Sequence, residues 1–127
     1  MGAVLQMRRQ PGNKPRAERA FLRMFPVQHH EGRRYMYALE LPDGRVKIGL
    51  ARRPRERIGQ YLSLYGGLAW AHLFPPIRRA HDVERASIAR LEAVSGVLRQ
   101  GKSEFFRHAS KADAIAAVRA AMQDVAA

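Results

Sequence analysis

The residues able to do chemistry in this 127-residue chain are a few tyrosines, lysines, arginines and carboxylates, because it contains no cysteine. That excludes a thiol nucleophile, a disulfide framework and any cysteine-ligated zinc or iron–sulfur site. His29-His30 and His108 lack metal-ligand spacing, and His72 reads as a half-buried strand side chain. Glu84 stands out among the acids. It lies one turn before Ile88 on the apolar stripe of a helix, where a carboxylate is costly unless paired or bound to a cation. The other reading of that position is a helix-end acid near the favourable N-terminal dipole. Tyr37 and Lys47 fall on neighbouring strands, and Arg53 and Arg57 lie one turn apart on a helix. As chemical types, a guanidinium can hold an oxyanion with two parallel donors, and a cation such as magnesium needs only one or two protein carboxylates.

The elements that must position these groups are legible from periodicity. YMYALEL, PDG and RVKIGL make two strands around an x-P-D-G-x turn. A three-residue loop closing with a bulge sets Leu41 opposite Arg45, Leu39 opposite Lys47 and Tyr37 opposite Gly49, so that Tyr37 and Lys47 share a sheet face. A two-residue Asp43-Gly44 loop would put them on opposite faces. Pro54 opens a helix to about Leu64, with Ile58, Tyr61, Leu62 and Tyr65 as its buried face, and Gly66-Gly67 ends it. LAWAHLF is a third strand, stopped by Pro75-Pro76. A helix from Asp82 to about Gln100 carries Ile88, Leu91, Val94 or Ser95, and Leu98. Ser110 with Asp113 starts a last helix whose inward face is Ile115, Val118, Met122 and Val125. Trp70, Phe105 and Phe106 are expected in the core. The fold class is α+β, a three-stranded, mainly antiparallel sheet flanked by helices.

The length fits one domain, residues 35–127, behind a basic N-terminal arm, residues 1–34, in which Pro15 to Phe25 can form a short helix with Ala17, Phe21, Met24 and Phe25 on its apolar side. The formal net charge is +12. The arm holds eight Arg/Lys and two Glu, the remainder fifteen Arg/Lys and nine Asp/Glu, so half the excess sits on about a quarter of the chain. Such a chain attracts polyanions by counterion release, and nucleic acid is the leading partner. The opening MGAVLQMRRQ has no apolar run of signal or membrane-span length, which points to the cytoplasm and away from membranes.

The order YMY, short hairpin, KIG, helix with PRERI, later helix with VER, then SEFF resembles the GIY-YIG nuclease superfamily, in particular a branch frequent in phages and mobile elements that reads KIG and closes with an E-F-F motif. The resemblance spans about residues 35–125. It implies a GIY-YIG-like domain acting as a metal-dependent DNA endonuclease with Mg2+ or Mn2+. Tyr37 is then the essential tyrosine of the first motif, whose glycine is replaced by Tyr35. Lys47 stands where the second motif has tyrosine, Arg57 matches the helix arginine, Glu84 matches the acidic metal ligand, and Glu104-Phe105-Phe106 matches the closing motif. Arg45, Arg52, Arg53 and Arg55 cluster nearby as expected DNA contacts. The altered Tyr35 and Lys47 motivate a second function, a GIY-YIG-like DNA-binding module without hydrolysis. An RNA-binding protein would use the same charge, although no RNA-binding module motif appears.

Overall fold

The Pro42-Asp43-Gly44 turn forms as its residue types require. The Leu41 N–H donates to the Arg45 carbonyl at 2.8 Å and the Gly44 N–H to the Leu41 carbonyl at 3.0 Å, with Gly44 at φ 92°. Left-handed φ is open to glycine at little steric cost, so the loop closes with three residues. It joins β2 (Arg34–Glu40) to β3 (Val46–Ala51), with Tyr37 opposite Gly49 and Leu39 opposite Lys47.

The computed structural model describes residues 4–7, 14–26 and 32–126. Its other elements are β1 (Val4–Met7), α1 (Lys14–Leu22), α2 (Pro54–Tyr65), β4 (Leu68–Ile77), α3 (Ala80–Glu92), β5 (Leu98–Arg99), β6 (Phe105–Arg107) and α4 (Lys111–Ala126). The class is α+β, and the sheet is antiparallel throughout in the order β1-β4-β2-β3-β6-β5. Among the described residues it therefore has six strands rather than the three read from the sequence. The expected three, β4-β2-β3, are its centre. The additions are too short to show a period: β1 pairs with β4, and β5 with β6 forms a hairpin closed around Gly101 at φ 59°.

That hairpin also corrects the helix expected from Asp82 to Gln100. α3 stops at Glu92 because the chain turns at Gly96, φ 86°, and Leu98 goes into β5, where it is exposed. β4 in turn runs through Pro75-Pro76 instead of stopping before them. Beyond His72 no described residue of β1 pairs with it, and its pairing to β2 is irregular between Tyr35 and Tyr37, so two residues without an N–H are accommodated.

Strand alternation builds two cores. Met36, Ala38, Val46, Ile48, Trp70 and Phe74 face α3 and α4. Tyr35, Tyr37, Leu39, Ala51, Ala71 and Leu73 face α1 and α2. Phe21 and Phe25 belong to this second core, whereas Met24 is 55% exposed. α4 begins as expected, the Asp113 N–H donating to Ser110 Oγ at 3.0 Å, but Ala114, Ala117 and Ala121 share its buried face with Val118. Trp70 and Phe106 are core residues, while Phe105 is half-buried. No described helix is long and apolar enough to cross a membrane.

Candidate active site

β2 and β3 bring the candidate groups onto the α2 face. Tyr37 is fully buried there, its ring laid across Gly49: a Cβ at position 49 would stand 2.5 Å from the tyrosine hydroxyl. The glycine of the KIG triplet is thus the floor on which Tyr37 rests. Its hydroxyl donates to the Tyr61 hydroxyl of α2 at 3.5 Å. Burial pushes the Tyr37 pKa well above the ordinary phenol value; the neighbouring Tyr61 adds to this and Arg57 opposes it. In the protein alone Tyr37 is therefore a neutral hydroxyl beside a guanidinium.

Arg57 stands on the exposed side of α2, one turn inside the start set by Pro54, and no described carboxylate pairs with it. Arg52, Arg53, Glu56, Arg57 and Gln60, with Ala51, line a pocket of about 230 Å³ between the end of β3 and α2. Arg53 lies 3.9 Å from Glu56, a weak exposed pair.

Lys47, two residues before Gly49, is 5% exposed, and its Nζ donates to Glu104 Oε2 at 2.7 Å. β6 covers β3 only at Val46 and Lys47, so Glu104, just before β6, meets the edge of β3; its carbonyl accepts from the Ile48 N–H at 3.4 Å. α3 packs on the opposite face of β3, with Val83, Ile88 and Leu91 in its core, and presents Glu84 half-buried at this edge. The Glu84 pKa is raised, chiefly by burial and then by the charge of Glu104, against the pull of Lys47 and His81. Three His, Asp or Glu side chains do not converge as a metal cluster among the described residues.

The structure thus gathers Tyr37, Lys47, Arg57 and Glu84 around the β3 strand. Of the four expected DNA contacts, Arg52 and Arg53 are exposed beside Arg57. Arg55 is spent differently: its Nε donates to the Phe25 carbonyl at 2.7 Å and its guanidinium to that of Arg23 at 3.2 Å, fastening the end of α1. Arg45 pairs with Asp43 at 2.9 Å and lies against the Tyr65 and Phe105 rings. His72 faces α4, away from these groups. His29 and His30 lie outside the described residues, and exposed His108 sits in a bend at φ 61°.

Tyr61, to which sequence reading gave only a packing role, joins the site, and Gly49, read there as part of the KIG triplet opposite Tyr37, supplies its floor. Tyr61 shares the helical spacing of buried Ile58 and Leu62, and only its place at the margin of that face exposes its hydroxyl to Tyr37. Comparison with known proteins returned no match among protein-family models, curated proteins or solved structures.

Proposed function

We propose that the chain is a metal-dependent DNA endonuclease of the GIY-YIG kind, acting in the cytoplasm. The observation that carries this reading is the placement of Arg57, with which no described carboxylate pairs, beside the buried Tyr37 hydroxyl, with the Lys47–Glu104 pair and Glu84 of α3 at the edge of β3. The net charge of +12 suits a polyanionic substrate.

The donor set fits magnesium. Glu84 is half-buried next to a second carboxylate, and the ammonium at hand is committed to Glu104, so a cation would relieve the unfavourable charge on Glu84. Bound by Glu84 with Glu104 nearby, the ion would supply positive charge at the scissile phosphate and a more acidic water.

Arg57 holds a non-bridging oxygen of the phosphate as negative charge develops there. Lys47 acts as a positioning residue, its Nζ held by Glu104 Oε2. Tyr37 and Tyr61 form a relay of hydroxyls. As water oxygen bonds to phosphorus, its proton passes to Tyr37 while the proton of Tyr37 moves on to Tyr61 and from there to solvent. The bond from phosphorus to the leaving oxygen breaks, and solvent protonates the leaving group. No phenolate accumulates, which suits a site where burial disfavours one.

The test is nicking of supercoiled plasmid with magnesium or manganese at low salt. Native protein should nick only with metal, and Glu84→Gln and Arg57→Ala should each lower the rate about 10²–10³-fold, the effect of removing one transition-state contact. Absence of nicking on duplex, branched and single-stranded DNA overturns the endonuclease. The Lys47–Glu104 ion pair in place of a second tyrosine favours the other reading, a DNA-binding module without hydrolysis. That reading requires salt-sensitive plasmid binding with no cleavage.

A further inference from the structure

Beyond Arg57 the site continues into an aromatic cleft that the hydrolytic groups do not use. Tyr61 and Tyr65, one turn apart on α2, stack with ring centres 6.0 Å apart and planes at 12°. Phe105 of β6 closes the other side. The cleft holds about 250 Å³ and is lined by Arg57, Gln60, Tyr61, Leu64, Tyr65 and Phe105. Leu64 at its mouth is 73% exposed. Cations surround the rings: the Arg45 guanidinium lies 5.6 Å from the Tyr65 ring centre and 5.1 Å from that of Phe105, and Lys47 Nζ lies 5.2 Å from the latter.

We infer that this cleft takes an unpaired base of the DNA strand whose phosphate Arg57 holds. The inference rests on the endonuclease reading and names its substrate: DNA with unpaired nucleotides at the cut, such as a single-stranded extension or flap, in preference to continuous duplex. A base within a duplex has both faces covered by its neighbours, so only a base outside the stack can lay a face against Tyr65 or Phe105. Arg57 on the cleft wall matches the phosphate beside that base. Arg57 lines both this cleft and the pocket of Arg52 and Arg53, so one strand can pass its base to the rings and its backbone to the arginines. The exposed Gln60 amide offers one donor group and one acceptor to a base edge. Because every base has a π-face, the preference is for structure rather than sequence.

The experiment measures binding of the full chain, without divalent metal, to a duplex and to an equally charged duplex whose single-stranded extension carries the fluorescent base aminopurine. The extended DNA should bind about fivefold or more tightly, the contribution of stacking one base on an aromatic ring, and aminopurine emission should fall on binding. Tyr65→Leu should bring the affinity ratio close to one and restore the emission, while Tyr65→Phe, which keeps the ring, should preserve both. Equal affinity for the two DNAs without quenching by the native chain overturns the inference whatever the variants do, and so does unchanged discrimination in a folded Tyr65→Leu. Failure of the endonuclease shows separately, as absence of metal-dependent nicking.

Discussion

Gly49 is the residue on which the geometry of Tyr37 turns. Its backbone is not in the left-handed region; what matters is the missing side chain, since a Cβ would meet the tyrosine hydroxyl and ring carbons at 2.5 to 3.0 Å. Gly49→Ala should destabilise the protein by about 1–3 kcal/mol, the usual cost of overpacking a filled core, and should lower nicking further than the stability loss explains. Denaturant unfolding beside the plasmid assay separates the two effects. His72 gives a prediction for pH. It is buried with its Nδ1 unpartnered, and burial followed by the charges of Arg119 and Lys111 lowers its pKa. The folded protein thus binds this proton less readily than the unfolded chain, so stability present above the ordinary histidine pKa of about 6.5 is lost as pH falls below it. His72→Leu should flatten that part of the stability profile, measured as melting temperature between neutral and mildly acidic pH; an unchanged slope would refute the assignment.

At the scale of elements, α1 is fastened to α2 through the carbonyls of the turn that follows it. Arg55 reaches the carbonyls of Phe25 and Arg23, its own N–H donates to that of Pro26 at 3.2 Å, and Phe21 and Phe25 pack edge to face, ring centres 5.3 Å apart, in the core beneath. Arg55→Ala leaves those carbonyls without their charged donor and should cost about 1–3 kcal/mol. Hydrogen exchange should locate the loss in α1 and the start of α2, whereas nicking at low temperature should stay close to native, because Arg55 faces α1 rather than the pocket of Arg52, Arg53 and Arg57. The β5–β6 hairpin has the opposite significance. It covers the first two residues of β3 and delivers Glu104 to Lys47, so Glu104-Phe105-Phe106 completes the sheet edge there. Phe106 anchors the hairpin in the core, and Phe105, next along the strand, must point to the other face, where the tyrosines of α2 are.

For the whole molecule, the net charge of +12 predicts DNA affinity that falls steeply with salt. If Arg52, Arg53 and Arg57 each meet a phosphate, replacing all three by alanine should reduce the slope of log K against log salt by about 2.7, at about 0.9 per contact on duplex DNA. A slope unchanged from native would place the DNA elsewhere on the surface. Much of this architecture was legible beforehand. The PDG turn determined the hairpin register, and with it the shared face of Tyr37 and Lys47, because turn chemistry and strand alternation are local rules. Pro54 with Gly66-Gly67 bounded α2 and so placed Arg57, and Ser110 started α4. What local patterns could not supply was anything decided by contacts between distant segments. Two- to four-residue strands have no period of their own, and β1, β5 and β6 exist because partners at the sheet edges satisfy their backbone groups. Position on a helical stripe marked Glu84 as unusual, yet only the packing of α3 on β3 brought it near Glu104 and Lys47, 20 and 37 residues away along the chain. Tyr61 and Tyr65 carried the same helical spacing as Ile58 and Leu62. The sequence by itself determined turns, helix ends and strand faces, whose causes lie within a few residues; tertiary structure alone decided which half-buried side chains meet, since that depends on how the faces pack.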